Sequence, residues 1–97
     1  MAKRTAKQPT RIESDLPVHP GELLAEELAA CGMTQRALAE AMGRPPQVIN
    51  EIARGRKAIT AETALQLERA LGTPAYLWMN LQAQYELARA RAEWLAS

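Results

Sequence analysis

Two amide side chains, Gln47 and Asn50, sit three residues apart in a chain that holds one histidine and one cysteine. That spacing puts both amides on one face of a helix. An amide so placed can pair bidentately with the outer edge of adenine in the major groove. Glu51 follows, with a carboxylate that can accept from a cytosine amino group or orient a neighbouring arginine. Ahead of them, Pro46 offers only apolar contact, suited to a thymine methyl, while Arg44 can reach a guanine or, slightly favoured, a phosphate. Behind them, Arg54-Gly55-Arg56-Lys57 supplies three cations for phosphates. Gln35 opens the preceding helix, where backbone amides and a side-chain donor can meet another phosphate. The set is that of a groove-reading surface: neutral groups for base edges, cations for the backbone.

The elements that must hold these residues are marked by glycine. Gly32, Gly43, Gly55 and Gly72 each follow a stretch with helical apolar spacing, and each is soon followed by a residue or pair suited to starting another helix. Residues 19–97 are thereby cut into five helices. His19-Pro20-Gly21-Glu22 opens the first, with His19 as a cap group, proline at the first helical position and a glutamate able to reach back to the cap amide. Its apolar stripe is Leu23, Leu24 and Leu28, with Cys31 near its end read as a small core residue. Thr34 caps a short second helix, Gln35 to Met42, with Leu38, Ala39 and Met42 inward. After the turn at Gly43 and the pair Pro45-Pro46, a third helix turns Val48, Ile49 and Ile52 inward. Thr60 caps the fourth, with Ala64, Leu67 and Leu71 as its stripe. The fifth runs from Pro74 to about Ala96, and its stripe of Leu77, Trp78, Leu81, Tyr85, Ala88, Ala92 and Leu95 outruns any four-helix core beneath it. The expected architecture is all-α: a five-helix helix-turn-helix domain with a long C-terminal helix.

Bulk properties narrow the function. Ninety-seven residues make one domain, expected over 18–97 behind a flexible basic arm at 1–17. The net charge of +1 is small for a nucleic-acid binder, so only its distribution can support that role. Arg44, Arg54, Arg56 and Lys57 face one acid, Glu51, across residues 44–57, and residues 1–11 hold four basic residues and no acid. Acids gather instead at Glu22, Glu26 and Glu27. No apolar run approaches the ~18 residues that cross a membrane, and one cysteine cannot close an internal disulfide, which points to the cytoplasm. With one histidine, one cysteine and no glycine-rich phosphate cradle, the sequence offers no catalytic, metal or cofactor site.

Residues 19–87 resemble the HigA-type antitoxins, a branch of the Cro- and lambda-repressor-like helix-turn-helix proteins. The resemblance is carried by His19-Pro20-Gly21-Glu22, Val48-Ile49-Asn50-Glu51-Ile52, Gly55-Arg56-Lys57-Ala58-Ile59-Thr60, and Trp78-Met79-Asn80-Leu81-Gln82 with Tyr85-Glu86-Leu87. It implies a homodimer that binds operator DNA, represses its own operon and neutralises a RelE/HigB-like toxin, a ribosome-dependent RNase. Two reading helices would then sit about 34 Å apart on an inverted repeat. The long fifth helix is the expected dimer element, through Trp78, Leu81, Tyr85, Ala88 and Trp94. Two other readings fit the same residues: a stand-alone repressor, and a toxin-binding module without DNA binding. The sequence departs from the wider helix-turn-helix pattern at Arg44, where an apolar residue commonly follows the turn glycine.

Overall fold

The computed structural model describes residues 18–96, so the arm expected at 1–17 lies outside it. Five helices follow in order: α1 (Pro20–Cys31), α2 (Gln35–Met42), α3 (Pro46–Ala53), α4 (Ala61–Leu71) and α5 (Ala75–Ala96). Thr34 and Thr60 cap α2 and α4 as their sequence positions suggest, each hydroxyl accepting an amide of the first turn. At α1 the His19 imidazole supplies the cap, its Nδ1 accepting the Gly21 amide at 2.9 Å, in place of a Glu22 reach-back. The α2–α3 turn needs Gly43, whose φ of 69° is a left-handed conformation. There the amides of Gly43 and Arg44 satisfy the last carbonyls of α2.

The core draws on every helix. Leu24 and Leu28 of α1 meet Leu38, Ala39 and Met42 of α2, Ile49 and Ile52 of α3, Ala64 and Leu67 of α4 and Trp78 of α5, with Ile59 from the α3–α4 loop. Ala39 is fully buried, as expected of a position that α3 crosses. Trp78 is also fully enclosed, and its indole N–H has no hydrogen-bond partner. Burying so large a ring outweighs the ~1–3 kcal/mol that an unpaired polar group costs.

Two readings of the sequence are corrected here. Cys31 is exposed, not a core residue. The chain leaves α1 at Gly32 one residue later, and Met33 packs on the core in its place. Trp78 cannot serve as an interface residue, because it has no surface left to offer a partner. Leu81, Tyr85 and Ala88 share its inward side of α5 and are half-buried within the protomer. Of the five candidates only Trp94 lies well exposed. A second stripe runs along the outward side of α5: Tyr76, Met79, Ala83, Leu87, Ala90 and Trp94, all exposed at steps of three and four. Apolar residues therefore line both sides of α5.

The entry to α1 is the tightest packing in the fold. A Cβ added at Gly21 would collide with the Ile52 carbonyl oxygen and crowd the backbone carbons of Ile52 and Ala53. No side chain fits between the first turn of α1 and the end of α3. Gly→Ala inside a helix ordinarily gains about 0.5–1 kcal/mol. Gly21→Ala is expected to do the reverse, losing about 1–3 kcal/mol by overpacking. A melting curve checks this, at about 4–8 °C per kcal/mol for a domain of this size.

Candidate nucleic-acid interface

The polar face of α3 is open. Pro46, Gln47 and Asn50 are exposed and Glu51 half-buried, while Ile49 and Ile52 on the other side are fully enclosed. Gln47 Nε2 donates to Glu51 Oε2 at 3.4 Å, one helical turn on. Asn50 Nδ2 donates to Gln35 Oε1 at 3.3 Å, which joins the start of α2 to the reading face of α3. Four of the residues expected from the sequence thus form two adjacent hydrogen-bonded pairs, one tying α2 to α3. Each amide keeps unused donor or acceptor capacity for an outside partner.

Arg44 is engaged elsewhere. Its Nη1 donates to Gln66 Oε1 at 2.9 Å and to Thr63 Oγ1 at 3.3 Å, both on α4. Thr63 is buried, and its hydroxyl also accepts from the Thr60 hydroxyl at 3.0 Å. This explains the departure at that position. Pro45 provides no side-chain cap for α3, and the Arg44 guanidinium ties the approach to the helix polar group by polar group where an apolar residue would pack.

Arg54, Arg56 and Lys57 lie exposed on the α3–α4 loop. The backbone of that loop is held by two hydrogen bonds. The Arg56 amide donates to the Glu51 carbonyl at 2.8 Å. The Ile59 amide donates to Gln82 Oε1 of α5, also at 2.8 Å. The His19 ring, whose Nδ1 is committed to α1, lies against this loop at Gly55. That ring stands edge-on to Tyr85 with centroids 4.7 Å apart. Burial lowers the His19 pKa, opposed by the nearby Glu22 carboxylate and the Lys57 carbonyl. The neutral ring is the form whose Nδ1 can accept the Gly21 amide. Behind the loop lies a groove of about 350 Å³, with Arg56 and Lys57 on one wall and Arg89 and Glu93 of α5 on the other.

Thr63, Gln66 and Gln82 were not legible as parts of this site. Their partners lie 19 to 23 residues away in sequence, and no local spacing signals such pairs. Among the described residues no group of three His, Cys, Asp or Glu could hold a metal ion, and no helix is long and apolar enough to cross a membrane.

A sequence profile of helix-turn-helix proteins matches residues 24–78. Virulence-associated protein I of Dichelobacter nodosus is 43% identical over 83 residues, covering 84% of this chain and 77% of the relative. Antitoxin HigA-1 of Vibrio cholerae is 39% identical over 72 residues, covering 73% of this chain and 68% of the relative. The chain belongs to the HigA-type antitoxins. Among solved structures of that family, the Pseudomonas aeruginosa antitoxin HigA with higBA promoter superimposes with a TM-score of 0.76 at 41% identity, covering 79% of this chain and 85% of that one. A HigA-family antidote protein from Coxiella burnetii gives the same TM-score at 39% identity, covering 80% and 86%. The general helix-turn-helix match runs from the first core leucine to Trp78. It contains α2 and α3 whole but excludes His19 and Gln82, which lie in the parts carrying the HigA-type resemblance.

Arg44 separates two roles by experiment. If its guanidinium braces the α3 approach, Arg44→Ala lowers stability by about 1–2 kcal/mol even without DNA. A residue that only touched phosphate would leave the melting temperature of the free protein unchanged.

Proposed function

We propose that this chain is the DNA-binding antitoxin of a toxin–antitoxin operon, docking as a dimer on its own operator through α3 and neutralising a RelE/HigB-like toxin. The observation that carries the DNA half is the outward face of α3. Gln47, Asn50, Glu51 and Gln35 form a paired polar row at its surface, bordered by the exposed cations of the α3–α4 loop. A relative of 41% identity and like fold has been solved with promoter DNA. In this reading Gln47 and Asn50 read adenine edges and Pro46 meets an apolar group. Glu51 accepts from cytosine or orients Gln47. Gln35 contacts phosphate beside the start of α2, and Arg54, Arg56 and Lys57 anchor the backbone. Arg44 acts by bracing the α3 approach, and a phosphate contact through its remaining donors is compatible with that. The setting is the bacterial cytoplasm, where the operator lies, and no catalytic step is assigned. Residues 18–97 form the folded unit in this reading, with 1–17 as a basic arm.

The dimer element is α5, through the outward stripe and not through the inward residues first suggested by the sequence. A helix apolar on both sides buries one against its own core and the other against a partner. Leu87 lies in the middle of the outward stripe, and Trp94 near its end.

Two measurements test this reading. The wild-type dimer is expected to lose operator affinity with added salt at a slope of roughly −7 to −9 in log–log form, from four or five phosphates per protomer. Gln47→Ala with Asn50→Ala should weaken operator binding by about 10- to 100-fold while leaving a scrambled duplex unaffected, since each bidentate pair contributes ~1–3 kcal/mol of discrimination. Equal binding of operator and scrambled duplex by the wild type would sink the proposal. For the dimer, Leu87→Glu places a charge in the outward stripe at a position already 52% exposed in the protomer. Sedimentation should then report monomers with an unchanged far-ultraviolet spectrum.

A further inference from the structure

The buried polar side chains of this protein are His19, Thr63 and Gln82 among the described residues. All three are used in one task. Thr63 holds Arg44 ahead of α3, Gln82 bonds the loop behind it, and the His19 ring lies against that loop at Gly55. A buried polar group is costly unless paired, so their convergence on the two connections of the reading helix marks where the fold spends its internal polarity. Gln82 carries none of the proposed nucleic-acid contacts itself. It sits on α5 with 5% of its surface exposed, accepts the Ile59 amide at 2.8 Å and donates to Glu86 Oε2 at 2.9 Å. The Glu86 bond orients the amide so that its oxygen, and not its NH2, faces Ile59.

We infer that Gln82 is a positioning residue for DNA-backbone binding: from α5 it fixes the α3–α4 loop at the height where Arg54, Arg56 and Lys57 meet phosphates. This rests on the DNA-binding reading above and assigns a task to α5 beyond joining protomers. Close packing cannot do this work along the outer part of the loop, because the groove separates Arg56 and Lys57 from the Arg89 and Glu93 side of α5. Beyond the buried Ile59 side chain, the loop is tied to α5 at the Ile59 amide, and Gln82 supplies that tie. Removing the acceptor leaves a buried amide unpaired, which the loop can relieve only by moving toward solvent. The amide row on α3 is held separately, by Arg44 and by the α2 contact, and stays in place.

The test is the salt dependence of operator binding by full-length Gln82→Met, which keeps side-chain length and removes the acceptor. Losing one phosphate contact per protomer makes the slope shallower by roughly 2 for the dimer. Operator affinity should fall about tenfold, with the ratio of operator to scrambled-duplex affinity unchanged. Gln82→Glu combined with Glu86→Gln exchanges donor and acceptor within the pair and keeps an oxygen facing Ile59, so it should restore the slope. Thr73→Val removes a 2.8 Å bond to Glu27 away from the loop. It should lower the melting temperature and leave the slope alone. If Gln82→Met is too unstable to assay, Gln82→Asn withdraws the oxygen by one methylene and should give the same shallower slope. A wild-type slope in the variant assayed, a fall in the specificity ratio, or an equal slope change in Thr73→Val overturns the inference. Failure of the wild-type chain to bind its operator overturns the DNA reading and this inference with it, so that control tells the two failures apart.

Discussion

The contact of Gly21 with the Ile52 carbonyl brings the first turn of α1 against the end of α3 with no side chain between them. Much of the molecule follows from that approach. An isolated eight-residue helix is far below the length that is stable in water, so α3 exists because its neighbours hold it. α1 meets its C-terminal end at Gly21, α2 lies under it at Ala39, and α4 grips the chain just before it through Arg44. These supports occupy its inner side and both its ends. The side left over carries Gln47 and Asn50. The same approach places His19 where it can cap α1, lie against the α3–α4 loop at Gly55 and meet Tyr85. One histidine thereby links α1, the α3–α4 loop and α5.

Polar groups are divided by task. The reading face of α3 carries amides that are paired with neighbours before any ligand arrives, which lowers the entropy lost when they are ordered on a duplex. The cations sit one loop further on, where charge attracts without selecting sequence. The net charge of +1 conceals this grouping, because Arg54, Arg56 and Lys57 stand together on the loop while Glu26 and Glu27 lie further along α1. Long-range attraction depends on such separation more than on the total.

α5 has two apolar sides, and the difference between them is functional. Its inward side ends the core with Trp78 and sends Gln82 to the α3–α4 loop. Its outward side spaces Leu87 and Trp94 with alanines, so a second helix can approach closely. A helix of 22 residues, roughly 33 Å long, reaches well past the four shorter helices that it packs against. The residues that complete the protomer core and those left exposed on α5 are thus different sets on one element.

The sequence by itself determined the helix count and nearly all the helix boundaries. Those features are local: caps at Thr34 and Thr60, a left-handed turn at Gly43 and apolar steps of three and four are written within a few residues of where they act. Gln47, Asn50, Arg54, Arg56 and Lys57 lie exposed, as the period of a short amphipathic helix and the loop after it suggest, while Gln35 is half-buried. Tertiary structure decided which side of α5 was already taken. Trp78, Leu81 and Tyr85 fit an interface as well as a core by spacing alone, and only the tertiary packing shows Trp78 enclosed and the other two half-buried. It likewise decided that Cys31 faces solvent, that Arg44 turns back to α4 and that Gln82 meets Ile59. Periodicity records which residues share a side of a helix, but the partner of that side is fixed by packing between segments distant in the chain.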